Sequence, residues 1–140
     1  MIRFSVNDAR TIELPCHRRA DGEVVVAEAS AHVPFAIARV FTISSHVGAR
    51  RGEHAHRQCS QLMLCVHGAV DVISDDSRDR RTTALETNNL ALLVPPTLWN
   101  TIVFRKPESV LMVLCNRLFE EEDYIRERSD FLAFRKALDS

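Results

Sequence analysis

Gly48-Ala-Arg-Arg-Gly-Glu-His54-Ala-His56-Arg-Gln-Cys-Ser-Gln61-Leu-Met-Leu-Cys-Val-His-Gly68 is the stretch on which the reading of this chain turns. His54 and His56 are separated by one residue in a segment bounded by glycines. On a strand, side chains at i and i+2 leave by the same face, so both imidazoles enter one space. Behind them Gln61–Val66 (QLMLCV) is an almost unbroken apolar run, as in a strand covered on both sides, and Gly68 permits the turn that ends it. Arg50, Arg51 and Arg57 surround the histidines, a local concentration of guanidinium groups whose geometry suits phosphate oxygens.

Working outward, short β-rich runs recur at Glu23–Glu28, Phe35–Ile43, Ala69–Ile73, Leu90–Val94, Trp99–Phe104 and Val110–Cys115. Asp21-Gly22, His67-Gly68 and the polar tract Ser74–Arg81 punctuate them as turns and a loop. Many short strands at close spacing predict a sandwich or barrel. After Cys115 the composition shifts to Glu, Arg and Leu, with Phe131, Phe134 and Leu138 at helical spacing behind a candidate Ser129 cap. The expectation is therefore an all-β fold with short C-terminal helices. It forms one domain over 1–140, with the barrel over about 11–116 and a helical tail over 117–140.

The 140 residues suit one hydrophobic core. With 18 Lys+Arg against 19 Asp+Glu there is no overall field to draw nucleic acid or anionic lipid, so the local arginines point to a small anionic ligand. No stretch approaches the ~20 apolar residues of a membrane span, and the N-terminus MIRFSVNDARTIELP lacks the apolar core of a secretion signal. The expected location is the cytoplasm. Cys16, Cys59, Cys65 and Cys115 form no CxxC pair, and three of them lie in apolar runs, so they read as reduced thiols.

The quoted stretch fits G-x5-H-x-H-x4-E-x6-G, the first motif of the cupin superfamily, except that Gln61 stands in the glutamate position. The second motif is faint: Asn89 begins it, Pro95 matches its proline, and Asn100 stands where a third metal-binding histidine falls. Two imidazoles with two neutral amides make a poor donor set for a divalent transition metal. The residues thus predict a cupin double-stranded β-helix, or jelly roll, with no metal, no cofactor and a histidine pair that moves protons.

Further residues carry a resemblance to a particular family. Val33-Pro34-Phe35 with Arg39-Val40-Phe41, then Arg50-Arg51-Gly52-Glu53-His54-Ala55-His56, Pro95-Pro96-Thr97-Leu98-Trp99 and Glu121-Glu122-Asp123-Tyr124-Ile125-Arg126 follow in order over roughly residues 11–134. In these the sequence resembles the dTDP-4-keto-6-deoxyglucose 3,4-ketoisomerases, a group of WxcM-like cupins. The resemblance implies a metal-free homodimer with exchanged N-terminal strands, acting on a dTDP-hexose in deoxysugar biosynthesis for surface polysaccharide (lipopolysaccharide O-antigen) or another glycosylated product. It makes His54 and His56 the acid/base candidates, His54 first. Arg39 and Arg51 become ligands of diphosphate or sugar oxygens, Gln61 orients the sugar, and Trp99 with Asn100 borders the pocket. Asp123, Tyr124 and Arg126 are read as fastening the tail to the barrel. One departure stands out: where the family carries tyrosines after Arg-Val, this chain has Phe41-Thr42, and its sole tyrosine is Tyr124. Two rival readings stay open, a non-catalytic sugar-nucleotide-binding cupin and a metal-dependent cupin enzyme.

Overall fold

The computed structural model describes residues 1–139. In chain order the strands are β1 (Arg10–Glu13), β2 (Cys16–Arg19), β3 (Gly22–Val25), β4 (Arg39–Ser44), β5 (Arg50–His56), β6 (Gln61–His67), β7 (Val70–Asp75), β8 (Arg80–Leu85), β9 (Leu90–Val94), β10 (Trp99–Phe104), β11 (Val110–Cys115) and β12 (Tyr124–Ile125). One α-helix, α1 (Arg128–Leu138), closes the fold. Two five-stranded sheets face each other, ordered β1-β9-β6-β11-β4 and β12-β5-β10-β7-β8, while β2 and β3 pair apart from them. All these pairings are antiparallel, and the layout is the expected jelly roll.

The core lies between the sheets, where Met63, Val70, Val72, Phe104, Leu111 and Val113 pack together. A second apolar layer covers the outer face of the β6-β11 sheet: Leu62, Leu64 and Leu114 lie beneath Val25, Phe35 and Ile37. That explains why β6 reads as apolar throughout, since both of its faces are covered. The amphipathic α1 packs Phe131, fully buried, against Ala55 and Ile125 on the outside of the other sheet. Burial of that ring contributes about 1.5–3 kcal/mol to docking the tail.

Several expected boundaries move. The run Phe35–Ile43 is extended strand only from Arg39, because residues 35–38 cross over the outer face of the sheet, and the Glu23–Glu28 run pairs only to Val25. Ser74–Arg81 contributes both ends to strands, leaving a loop of four residues. From Arg80 on, β8 alternates in burial because it is an edge strand with one face in solvent. Ser129 does not cap α1: Glu127 occupies the N-cap with extended backbone and makes no side-chain cap. The tail also carries a two-residue strand, β12, that composition did not reveal. Cys59, Cys65 and Cys115 are buried free thiols, and Cys16 is partly exposed.

Candidate active site

The site is built on β5, and its geometry depends on a bulge. In the pairing with β10, Asn100 lies opposite His54, but Thr101 lies opposite Gly52, so Glu53 is an extra residue. Gly52 and Glu53 both take positive φ, +79° and +56°. A side chain at Gly52 would place its Cβ 3.1 Å from the Asn100 carbonyl oxygen, which is why glycine stands there. The extra residue inverts the strand's alternation. Arg51 faces Ile102 across the pair, and Ile102 and Asn100 share the inner face, so Arg51 and His54 turn the same way. Without the bulge, residues three apart would leave by opposite faces.

His54, His56 and Arg51 line a cavity of about 680 Å³, with Gln61, Asn100, Thr42 and Phe41 on its other walls. That volume suits a ligand of nucleotide-sugar size. The two imidazoles stand edge to face, centroids 5.1 Å apart. Burial, reinforced by His56 and Arg126, pulls the His54 pKa from its ordinary value down to about 4, against a hydrogen bond to the Gly52 backbone. His54 is therefore a neutral imidazole near pH 7, with a ring nitrogen free to accept a proton. His56 is also shifted down, chiefly by burial, with Asp123 opposing.

Residues of the tail fasten it to β5, as expected, and also complete the site. β12 pairs Tyr124 with His56. The preceding Asp123, buried, places Oδ2 2.8 Å from His56 Nδ1, while its Oδ1 accepts the Gln58 backbone N–H at 2.7 Å. A carboxylate on Nδ1 holds the proton there and fixes the ring, leaving Nε2 buried and without a protein partner. The Tyr124 ring lies 4.4 Å from His56 and 5.0 Å from His54, and Arg126 stacks its guanidinium 4.4 Å over it. Tyr124 and Arg126 both line the cavity. The phenol absent from Phe41 is thus present from another element. The available signal was the chain's sole tyrosine within a retained Asp-Tyr-Ile-Arg run.

Other expected site residues fall elsewhere. Trp99 does not border this cavity. As the neighbour of Asn100 on β10 it takes the opposite face, where its ring packs 5.4 Å from Phe131 under α1. Arg39 is not among the residues that line the cavity. It lies opposite Cys115 in the strand register, so its Nη2 reaches Tyr124 Oη at 3.2 Å and Cys115 Sγ at 3.6 Å. Arg57 lies against Phe134, whereas Arg50 lines the cavity while paired with Glu53. Gln61 faces the cavity and donates to Cys115 Sγ. Asn100 accepts from Ser74 Oγ and donates to the Leu98 carbonyl. Both amides at cupin metal positions are thus engaged with protein groups, and neutral amides are weak ligands for a transition metal, so the donor set does not fit one.

A jelly roll whose interior opens as a histidine-lined cavity defines a small-molecule-binding barrel of the cupin class. The family described as FdtA: WxcM-like, C-terminal, matches residues 7–136, and the chain belongs to it. A TDP-4-oxo-6-deoxy-alpha-D-glucose-3,4-oxoisomerase of Aneurinibacillus thermoaerophilus is 33% identical over 111 residues, 79% of this chain and 80% of that protein. Among solved structures, the sugar 3,4-ketoisomerase QdtA of Thermoanaerobacterium thermosaccharolyticum, in complex with TDP, superposes with a TM-score of 0.90 at 23% identity. That match covers 95% of this chain and 98% of QdtA. WlaRB, a TDP-quinovose 3,4-ketoisomerase of Campylobacter jejuni, gives 0.84 at 25% identity over 90% and 98% of the two chains.

Proposed function

We propose that this protein is a sugar-nucleotide 3,4-ketoisomerase acting on dTDP-4-keto-6-deoxyglucose by metal-free acid/base enolisation. The observation that carries the reading is the pair of neutral imidazoles, His54 and His56, side by side on one wall of the cavity. In the reaction His54 removes the C3 proton, which the C4 ketone acidifies, and O4 is protonated to give an enediol. Loss of the O3 proton and protonation at C4 complete transfer of the carbonyl. The Tyr124 phenol, whose oxygen accepts from Arg39 and whose own proton is free, is the donor to O4, and His56, its proton held on Nδ1 by Asp123, offers Nε2 as the acceptor for the O3 proton. Arg51 binds diphosphate or sugar oxygens, Arg126 adds positive charge beside them, and Gln61 and Asn100 shape the sugar's side.

The test is incubation with dTDP-4-keto-6-deoxyglucose in deuterated water, followed by NMR. Deuterium enters at C3 of recovered substrate, and a 3-keto product accumulates. Neither signal would mean a binding module, the role that Phe41-Thr42 in place of tyrosine otherwise favours.

The reading extends to a cytoplasmic homodimer serving deoxysugar biosynthesis for surface polysaccharide or another glycosylated product. No described helix is long and apolar enough to cross a membrane. The support for a second copy as partner is an apolar cleft on the outer face of the β6-β11 sheet, lined by Val40, Val66, Leu64, Met112 and Leu114. Val40 is 52% exposed there, and solvation of such a patch is unfavourable. Sedimentation velocity at micromolar concentration gives a particle of twice the chain mass; a monomer at all concentrations removes the dimer.

A further inference from the structure

At the edge of the cavity, a ring nitrogen of His56, Cys59 Sγ and a carboxylate oxygen of Asp123 all lie within 4.8 Å of one another. All three residues are buried, at 4%, 3% and 8% exposure. Among the described residues they are the only group of three or more His, Cys, Asp or Glu side chains so arranged. His56 is also the second histidine of the cupin H-x-H motif, but Cys59 and Asp123 stand at none of the cupin metal positions, which fall on His54, His56, Gln61 and Asn100. We propose that His56, Cys59 and Asp123 form an inhibitory zinc(II) site, whose occupation disables the histidine pair.

The chemistry of the donor set supports this. Imidazole, thiolate and carboxylate are the zinc ligands of proteins, and three of them leave one tetrahedral position for water. Ligand atoms about 2.0–2.3 Å from one ion stand roughly 3.3–3.8 Å apart, so a cluster already within 4.8 Å closes on zinc with small side-chain movements. The His56–Asp123 contact, now 2.8 Å, opens only slightly to admit the ion between them. Charge also balances: one thiolate and one carboxylate against a dication give a neutral cluster, the form that burial tolerates. Protons balance as well. The Cys59 thiol proton is released to solvent, and the His56 proton moves from Nδ1 to Nε2, which has no hydrogen-bond partner in the protein. With Nδ1 on the metal, Asp123 withdrawn and Nε2 fixed as a donor, the imidazole can no longer relay protons. This consequence rests on the isomerase reading; the site itself does not.

The experiment uses the full chain, reduced and stripped of metal. Cobalt(II), added as an optical probe, gives a near-ultraviolet thiolate-to-cobalt charge-transfer band saturating at one equivalent, and zinc(II) abolishes it. Cys59→Ser, a residue outside the acid/base machinery, loses the band and binds zinc at least about tenfold more weakly, since a neutral hydroxyl replaces the thiolate. In the wild type, saturating zinc suppresses turnover at least about tenfold, as loss of one acid/base group does; Cys59→Ser turns over normally and resists zinc. Zinc affinity unchanged by Cys59→Ser, binding without a thiolate band, or full turnover with Cys59-bound zinc overturns the proposal. A thiolate-bound cobalt in a chain that shows no turnover even without metal upholds the site and rejects the isomerase reading instead.

Discussion

His54→Asn lowers kcat by about 10³-fold, roughly 4 kcal/mol of transition-state stabilisation, while TDP affinity stays within a few fold of wild type. In the free protein burial, His56 and Arg126 all disfavour an imidazolium at position 54. That penalty keeps the ring neutral and its nitrogen available near pH 7. It also sets what the reaction must supply. As the C3 proton leaves, charge appears in pairs, imidazolium on His54 and enediolate on the sugar, and each cancels the field that opposes the other. An asparagine preserves a polar side chain of similar reach but cannot take up a proton, so it loses the interaction made only in the transition state. Since His54 lies on the cavity wall rather than in the sealed core, thermal unfolding of the variant should match wild type, which separates chemistry from folding. Binding is read with TDP, whose diphosphate is assigned to Arg51. A variant with wild-type kcat removes His54 from the mechanism. A variant that loses TDP affinity in step with kcat makes His54 a binding residue.

The fold and half of the site were legible because their signals are local. Gln61–Val66 announces a strand with both faces covered, and that is where β6 lies, between the core and the outer apolar layer. The spacing of His54 and His56 fixes their common face within one strand, whatever the rest of the chain does. What stayed hidden depends on contacts remote in sequence. Asp123 meets His56 across 67 residues, and the run of glutamates and arginines around it carries no sign of which strand it fastens to. β12 is two residues long, too short for any periodicity to register. Trp99 was misplaced for a different reason. Its partner Asn100 faces the cavity, and a single step along β10 reverses the face, so proximity in sequence was the wrong guide. Arg51 shows the converse: strict alternation from His54 would turn it outward, and only the Gly52–Glu53 bulge brings it in.

The glycine that ends the quoted stretch carries the largest expected effect on stability. Gly68→Ala destabilises the protein by about 2–5 kcal/mol, lowering Tm by roughly 7–17 °C. Gly68 has φ +81°, in the left-handed region that costs an alanine about 1–2 kcal/mol. The remainder is steric. A Cβ at this position falls 2.1 Å from Ser109 Oγ and 2.8 Å from both Ser109 Cα and Cβ. Ser109 cannot yield readily, being fully buried. Its hydroxyl accepts the Ala69 N–H at 3.0 Å and shares its own proton between the Lys106 and Ala69 carbonyls at 2.8 and 3.2 Å. Moving Ser109 away therefore breaks hydrogen bonds that tie the β6-β7 turn to the connection entering β11, and so links the two sheets. Gly48→Ala separates the two contributions, because Gly48 has a similar φ of +85° with nothing within 4 Å of the added Cβ. It loses only the conformational part, about 1–2 kcal/mol, and the difference between the two variants measures the clash. Gly68 lies at the far end of β6 from Gln61 and does not line the cavity. Well below its Tm the Gly68→Ala enzyme therefore turns over at a rate near wild type. Denaturation midpoints equal for the two glycine variants would mean that Ser109 yields at no cost.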